Sequence, residues 1–115
     1  MEIRRIYPKD ASKKTMYDLT CSPKVQKLSL CDGQILDIKA WCSYVDADVK
    51  TGEARELLAI QTPEGEVYAT NSPTTLRDFF RMVDMFGDDG VTAVEVVSAK
   101  SKNGRTFYTV VYAGD

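Results

Sequence analysis

The 115-residue sequence contains no histidine, only three cysteines and no long apolar run. Without histidine it lacks the commonest general base and metal ligand, and no GxSxG elbow or phosphate-binding loop is present. Cys21, Cys31 and Cys42 do not form a CxxC or CxxxC metal spacing, and an odd number argues against a disulfide framework. We therefore expect no enzyme, no metal and no cofactor, and three reduced thiols with Cys42 in the core.

The missing apolar run also bears on location. No segment approaches the ~20 apolar residues that a membrane span needs, and the first residues, MEIRRIYPKD, lack the apolar region of a signal peptide. We expect a cytoplasmic protein that does not contact a membrane.

Charge is unevenly distributed along the chain. The formal net charge is −2, which does not indicate a nucleic-acid binder. However, residues 1–14 are basic on balance, residues 98–109 carry three basic side chains and no acid, and residues 74–89 are acidic on balance. A surface divided in this way can bind phosphate on one side although the total charge is negative.

The order of elements is the most informative pattern that is present. Alternating apolar residues and turn sequences predict strands at 34–45, 55–62, 66–71, 91–100 and 105–112. One helix falls between the third and fourth strands: Ser72 caps it, Pro73 takes its first position and Gly87 ends it. Its apolar stripe indicates core packing. This is the order of the OB-fold, an all-β fold with one helix whose five strands form a Greek-key barrel.

The domain boundaries follow from the same pattern. Residues 1–13 predict a basic, mobile N-terminal arm, and residues 14–115 a single OB-fold domain. Within the domain, KTMYDLT at 14–20 is compatible with a short strand. No internal repeat or linker indicates a second domain.

Strand parity selects candidate surface residues. In the first long strand, Leu36, Ile38, Ala40 and Cys42 are assigned to the core, so that Trp41 faces outward beside Lys39. In the last strand both parities are apolar enough to pack; the bulkier set is assigned inward, which exposes Phe107. The alternative for each aromatic ring is burial, and for each basic side chain a solvated rim.

These assignments favour a single-stranded nucleic-acid site, which combines a basic groove with aromatic rings that stack on bases. OB-folds bind such ligands on their second and third strands and on the loops after strands one and four. The candidates near those places are Lys39, Trp41, Arg55, Tyr68, Lys100, Lys102, Arg105 and Phe107.

The segments LCDGQILDIKAWCSY, LLAIQTPEGEVYAT and VEVVSAKSKNGRTFYTVVY, with the helix between the last two, resemble the single-stranded DNA-binding proteins of small phages such as φ29. The resemblance covers roughly residues 14–112 and consists of turn and hydrophobic patterns. It implies a protein that coats displaced strands during phage or mobile-element replication. It also implies that Phe107 and Tyr108 occupy the family's aromatic pair and Lys102 its basic turn.

The sequence thus predicts sequence-nonspecific binding of single-stranded DNA. The alternative is an OB-fold adaptor that binds a host or phage protein, which the acidic end of the helix favours; a small hydrolase or nuclease is a third hypothesis. Replication proteins and a second copy of the chain remain open as further partners.

Overall fold

The computed structural model describes residues 1–114. This part of the chain contains eight β-strands, two α-helices and one 3₁₀ helix. The protein is therefore mostly β, with two α-helices where the sequence predicted one. In chain order the elements are β1 (Glu2–Tyr7), α1 (Lys13–Thr20), β2 (Gln26–Lys27), the 3₁₀ helix (Leu28–Cys31), β3 (Ile35–Asp37), β4 (Ala40–Ala47), β5 (Ala54–Gln61), β6 (Val67–Thr70), α2 (Pro73–Phe86), β7 (Ala93–Lys100) and β8 (Thr106–Tyr112).

The strands form two sheets, ordered β1-β4-β5-β6-β2 and β3-β7-β8. The stretch predicted as one strand, residues 34–45, supplies both β3 and β4. It is interrupted at Ile38 and Lys39, whose backbone amides donate to the carbonyl oxygens of Thr92 (2.9 Å) and Gln61 (2.8 Å). One continuous segment therefore belongs to both sheets and joins them.

The expected closed barrel is not formed. Within residues 1–114 no ladder joins the two sheets, because β6 pairs with β5 and β2 while β8 pairs with β7 alone. Helix α2 lies along the free edge of β8 instead. The Thr75 hydroxyl donates to the carbonyl oxygen of Tyr108 (2.8 Å), and the Thr109 hydroxyl donates to the Asp78 carboxylate. The helix thereby covers an edge that would otherwise invite pairing with another chain.

The predicted helix is confirmed at both ends. The Ser72 hydroxyl accepts from the Thr75 amide (3.3 Å), and Pro73 occupies the first turn, where its missing N–H is not needed. Gly87 ends the helix with a φ of +91°, a conformation that favours glycine, and its amide donates to Val83. Leu76 and Val83 are among the stripe residues that are buried.

The N-terminal expectations are wrong. Residues 2–7 form strand β1, paired antiparallel with β4, rather than a mobile arm. Residues 13–20 form helix α1 rather than a strand, because Ser12 caps the Thr15 amide (3.1 Å) and Lys14 pairs with Asp18 one turn later (3.1 Å). None of the helices in the described range is long and apolar enough to cross a membrane.

Residues 40–44 of strand β4 are buried on both faces of the strand, whereas the expected parity left one face exposed. Trp41 lies in the main core, where its ring is 5.2 Å from that of Phe79 and its indole N–H donates to the Asp88 carbonyl (3.2 Å). On the opposite face, Cys42 packs in a second cluster that contains Leu19 of α1. Cys42 is thus in a core, as expected, and burial raises the pKa of its thiol to about 12.

Candidate nucleic-acid interface

A groove runs between β5 and the start of α2. Its volume is about 630 Å³, and it is called here the Arg55 groove. It has an apolar floor and a charged rim, a composition suited to a base and its phosphate. The residues that line it are Arg55, Glu56, Asn71, Pro73, Leu76, Arg77 and Phe80.

A second groove, called the Arg105 groove, lies between α2 and the β7–β8 hairpin and has a volume of about 650 Å³. Arg77 lines both grooves, so that they meet at this side chain. The hairpin turn is closed by hydrogen bonds from Ser101 to Arg105 and from Gly104 to Ser101. The residues that line the second groove are Thr74, Arg77, Asp78, Ser101, Arg105, Thr106 and Phe107.

A third, smaller groove has a volume of about 410 Å³. Lys27 and Leu57 line it, and it shares Asn71 with the Arg55 groove. The three grooves, together called the arginine path here, share the lining residues Asn71 and Arg77 and present four basic and two acidic side chains in all. Although the protein as a whole is acidic, this path is positive on balance.

The three arginines of the path differ in their surroundings. Within residues 1–114, the guanidinium groups of Arg55 and Arg105 form no ion pair, whereas that of Arg77 pairs with Asp78 (Nε–Oδ1 3.2 Å). Exposed pairs of this kind are worth about 0–1 kcal/mol. A phosphate therefore competes easily for Arg77, and it displaces no ion pair at Arg55 or Arg105.

Two phenylalanine rings adjoin the arginines. Phe80 lines the Arg55 groove and Phe107 the Arg105 groove, and each is only partly exposed. Two neighbours hold the Phe80 ring in place. The Arg5 guanidinium carbon lies 5.4 Å from its centroid, and the Phe79 ring packs against it edge-on with a centroid distance of 6.2 Å. A ring fixed in this way loses little conformational entropy when a base stacks on it.

Three of the residues predicted for the site come together on this path: Arg55, Arg105 and Phe107. In the last strand, Val110 is buried, as its parity predicts. Tyr108, predicted to face the same way, is 36% exposed, and Phe107, predicted to face outward, is only partly exposed. Arg55 is the second residue of β5, and Arg105 ends the hairpin turn before β8, so two separate parts of the fold place them at neighbouring grooves.

Trp41 and Tyr68 are not available on the surface. Trp41 is 0% exposed, so the prediction that it faces outward is wrong: α2 covers the face of β4 to which it belongs. Tyr68 is 8% exposed, and its hydroxyl donates to the Glu66 carboxylate, a hydrogen bond that raises the pKa of the phenol. Neither ring presents a face on which a base could stack.

The remaining candidates, Lys39, Lys100 and Lys102, are exposed but line none of the three grooves. Lys100 and Lys102 flank Ser101, which does line the Arg105 groove. Lys39 sits at the break between β3 and β4, away from this hairpin in the sequence. The two hairpin lysines therefore extend the positive surface at one end of the path.

Sequence reasoning missed Arg77 and Phe80. Both belong to α2, whose aromatic stripe was assigned to the core and whose charges were read together as acidic. The spacing did contain a clue, because Phe80 lies at the margin of the stripe and Arg77 is one turn before Arg81 on the polar side. In the described part of the chain, no three Cys, Asp or Glu side chains form a group that could hold a metal ion.

Over residues 9–112 the chain matches the family model of the φ29-type phage single-stranded DNA-binding protein. Since the match covers most of the chain, the protein belongs to this family, as the resemblance in its hairpins predicted. Neither a curated protein nor a solved structure matches the chain.

Proposed function

We propose that this protein binds single-stranded DNA with little sequence preference and coats displaced strands during phage or mobile-element DNA replication. The observation that carries the proposal is that two grooves sharing Arg77 are lined by basic and aromatic side chains together, Arg55 and Phe80 in one and Arg105 and Phe107 in the other. Family membership supports the same ligand. In this role the protein acts in the cytoplasm of the host and performs no catalysis.

The proposed mechanism is passive. The three arginines hold successive phosphates, and Lys100 and Lys102 add charge where the strand leaves the Arg105 groove. Phe80 and Phe107 stack on bases, each stack being worth about 1–3 kcal/mol regardless of the base. Lys39 remains a candidate for a peripheral phosphate contact. Binding of this kind protects the strand because its bases and backbone are covered.

We also propose that the fold is an opened variant of the OB-fold. From β3 and β4 onward the order is strand, strand, strand, helix, strand, strand, which is that of an OB-fold once β3 and β4 are counted as one. The arginine path then runs beside the third strand and the hairpin of the last two strands, near the places where OB-folds bind oligonucleotides. The helix at the gap between β6 and β8 takes the place of the closing ladder.

A titration of labelled oligo-dT, followed by fluorescence anisotropy, tests the proposal. We expect micromolar or tighter binding in low salt, with a log–log salt slope of about −0.7 for each phosphate that is neutralised. An unchanged anisotropy at micromolar protein in low salt contradicts the proposal. Duplex DNA of the same sequence is the control, and we expect it to bind more weakly because its bases cannot reach the rings.

A second candidate function, a protein-binding adaptor, is favoured by the C-terminal end of α2. There Met85 is 75% and Phe86 44% exposed beside the acidic Asp84 and Asp89. An apolar patch with acidic neighbours suits a basic protein partner. Recovery of one stoichiometric partner in a pull-down, together with no affinity for DNA, would establish this alternative.

A further inference from the structure

One residue of the Arg55 groove does not suit a phosphate-binding role. Glu56 is exposed and lines the groove with Arg55 and Arg77, and its carboxylate forms no ion pair or hydrogen bond within residues 1–114. A free carboxylate repels phosphate at short range, and this repulsion is only partly screened at physiological salt. The part of the groove that Glu56 faces must therefore take a different portion of a nucleotide.

The surroundings of Glu56 fit a base. Phe80 supplies a ring for stacking, and Leu76 and Pro73 complete an apolar floor. The Asn71 side-chain amide also lines the groove and has no hydrogen-bond partner in the described range. A stacked base therefore places its hydrogen-bonding edge beside a carboxylate that only accepts and an amide that both donates and accepts.

The four bases differ in what they offer to a carboxylate. Guanine presents two adjacent donors, N1–H and the N2 amino group, which match the two oxygens of a carboxylate. Adenine and cytosine each present one amino group. Thymine presents one N–H between two carbonyl oxygens, and these oxygens are repelled by the negative charge.

We propose that Glu56 makes the Arg55 groove a base subsite that favours guanine and disfavours thymine, with the phosphates held by Arg55 and Arg77. The proposal rests on the proposed binding of single-stranded DNA and adds a composition bias at this one subsite. Asn71 assists by bonding whichever edge atoms Glu56 leaves free. The bias is modest because Glu56 is exposed to solvent.

The test compares three oligonucleotides of equal length: oligo-dT, repeats of d(TTG), and repeats in which inosine replaces each guanine and so removes only the 2-amino group. Lithium buffer prevents guanine quadruplexes. We expect the wild type to bind the guanine oligonucleotide about fivefold more tightly than oligo-dT, which corresponds to the net contribution of one ordinary hydrogen bond, because solvent weakens bonds to the exposed carboxylate. The inosine oligonucleotide should fall between them.

The variant Glu56→Gln isolates the carboxylate. It should reduce the guanine preference below about twofold while binding oligo-dT at least as tightly as the wild type, because a negative charge near phosphates is removed. Glu64→Gln, the same change at the β5–β6 turn, should keep the full preference. Each ratio is measured within one variant, so a partial loss of folded protein does not alter it.

Two results overturn the proposal: equal affinity of the wild type for all three oligonucleotides, or an unchanged preference in Glu56→Gln. In both cases oligo-dT still binds, and the proposed function stands. Failure of every oligonucleotide to bind in low salt overturns the proposed function and the base subsite together.

Discussion

The guanidinium carbon of Arg5 lies over the Phe80 ring, 5.4 Å from its centroid, and so ties the N-terminal strand to the helix that borders the groove. The same guanidinium pairs with Asp84 (3.5 Å) and Asp88 (3.2 Å) on the last turn of α2 and beyond it. Strand β1 is therefore a support for the candidate site rather than a free arm, and its removal affects Phe80 first.

Arg5→Met should lower the free energy of unfolding by about 1–2 kcal/mol, because two cation–π contacts, to Trp41 and Phe80, and two partly exposed ion pairs are lost while the aliphatic stem remains. Urea denaturation followed by circular dichroism measures this. Arg4→Met is the matched control on the exposed neighbour and should change stability by less than about 0.5 kcal/mol. Equal effects of the two variants would mean that the Arg5 contacts contribute nothing specific.

Arg77→Gln and Arg105→Gln should each reduce the magnitude of the log–log salt slope for oligo-dT by about 0.7, since each removes one phosphate contact. The measurement is the binding constant at several salt concentrations. Arg4→Gln, which removes an exposed charge outside the three grooves, should leave the slope within error of the wild type. A common reduction in all three variants would indicate a general charge effect instead of a defined path.

Phe107→Ala should weaken oligo-dT binding by about 1–3 kcal/mol, the worth of one stacked base, and leave the salt slope unchanged. Anisotropy titrations at two salt concentrations separate these two effects. The control is Tyr17→Ala on α1. The Tyr17 ring is 51% exposed and lines none of the three grooves. A loss of affinity equal in both variants contradicts stacking by Phe107.

Trp41→Phe should destabilise the fold by about 2–3 kcal/mol, because buried volume is lost and the Asp88 carbonyl loses its donor. The folded variant should bind oligo-dT like the wild type. Trp41 emission should resist acrylamide quenching in the native protein and become accessible in urea. If Trp41→Phe had unchanged stability but reduced affinity for oligo-dT, the result would indicate that Trp41 contacts the DNA.

Stability should fall at high pH, in part through Cys42. Its pKa is raised from 9.0 in the unfolded chain to about 12 in the fold by burial, so between these values the folded state retains a proton that the unfolded state has released. Stabilisation is complete below pH 9 and is lost toward pH 12, at about 1.4 kcal/mol per pH unit.

Urea denaturation at several alkaline pH values measures how the free energy of unfolding changes with pH. Cys42→Ala should reduce this slope by about 1.4 kcal/mol per pH unit, the contribution of one proton. Thiol titration of the native protein gives an independent check: exposed Cys21 should react rapidly, whereas buried Cys31 and Cys42 should react only on unfolding. Rapid reaction of all three thiols in the native state would contradict the burial of Cys42.

Local rules were sufficient for several elements. Helix α2 could be bounded from sequence because a serine cap, a proline and a terminal glycine mark its ends, and the Asn103-Gly104 pair places the last hairpin. Such features act over a few residues and do not depend on what packs against them. The family could be recognised for the same reason, since its pattern consists of turns and hairpins.

The orientation of Trp41 could not be predicted, because alternation separates two faces of a strand without saying what covers each. Strand β4 is covered by α2 on one side and by α1 on the other, and the sequence of α1 was compatible with a short strand. Arg77 and Phe80 were missed for a related reason. Their role depends on how α2 lies against β5 and β8, a tertiary relationship that helical periodicity does not contain.

The seam between α2 and β8 has a mechanical consequence. Across it, the Thr75–Tyr108 and Thr109–Asp78 hydrogen bonds come from side chains, whereas a closed barrel would have a full backbone ladder at this place. Side-chain bonds can be exchanged for water one at a time, while a ladder opens cooperatively. We therefore expect that the wall that carries Arg105 and Phe107 can shift relative to the wall that carries Phe80 without unfolding a strand.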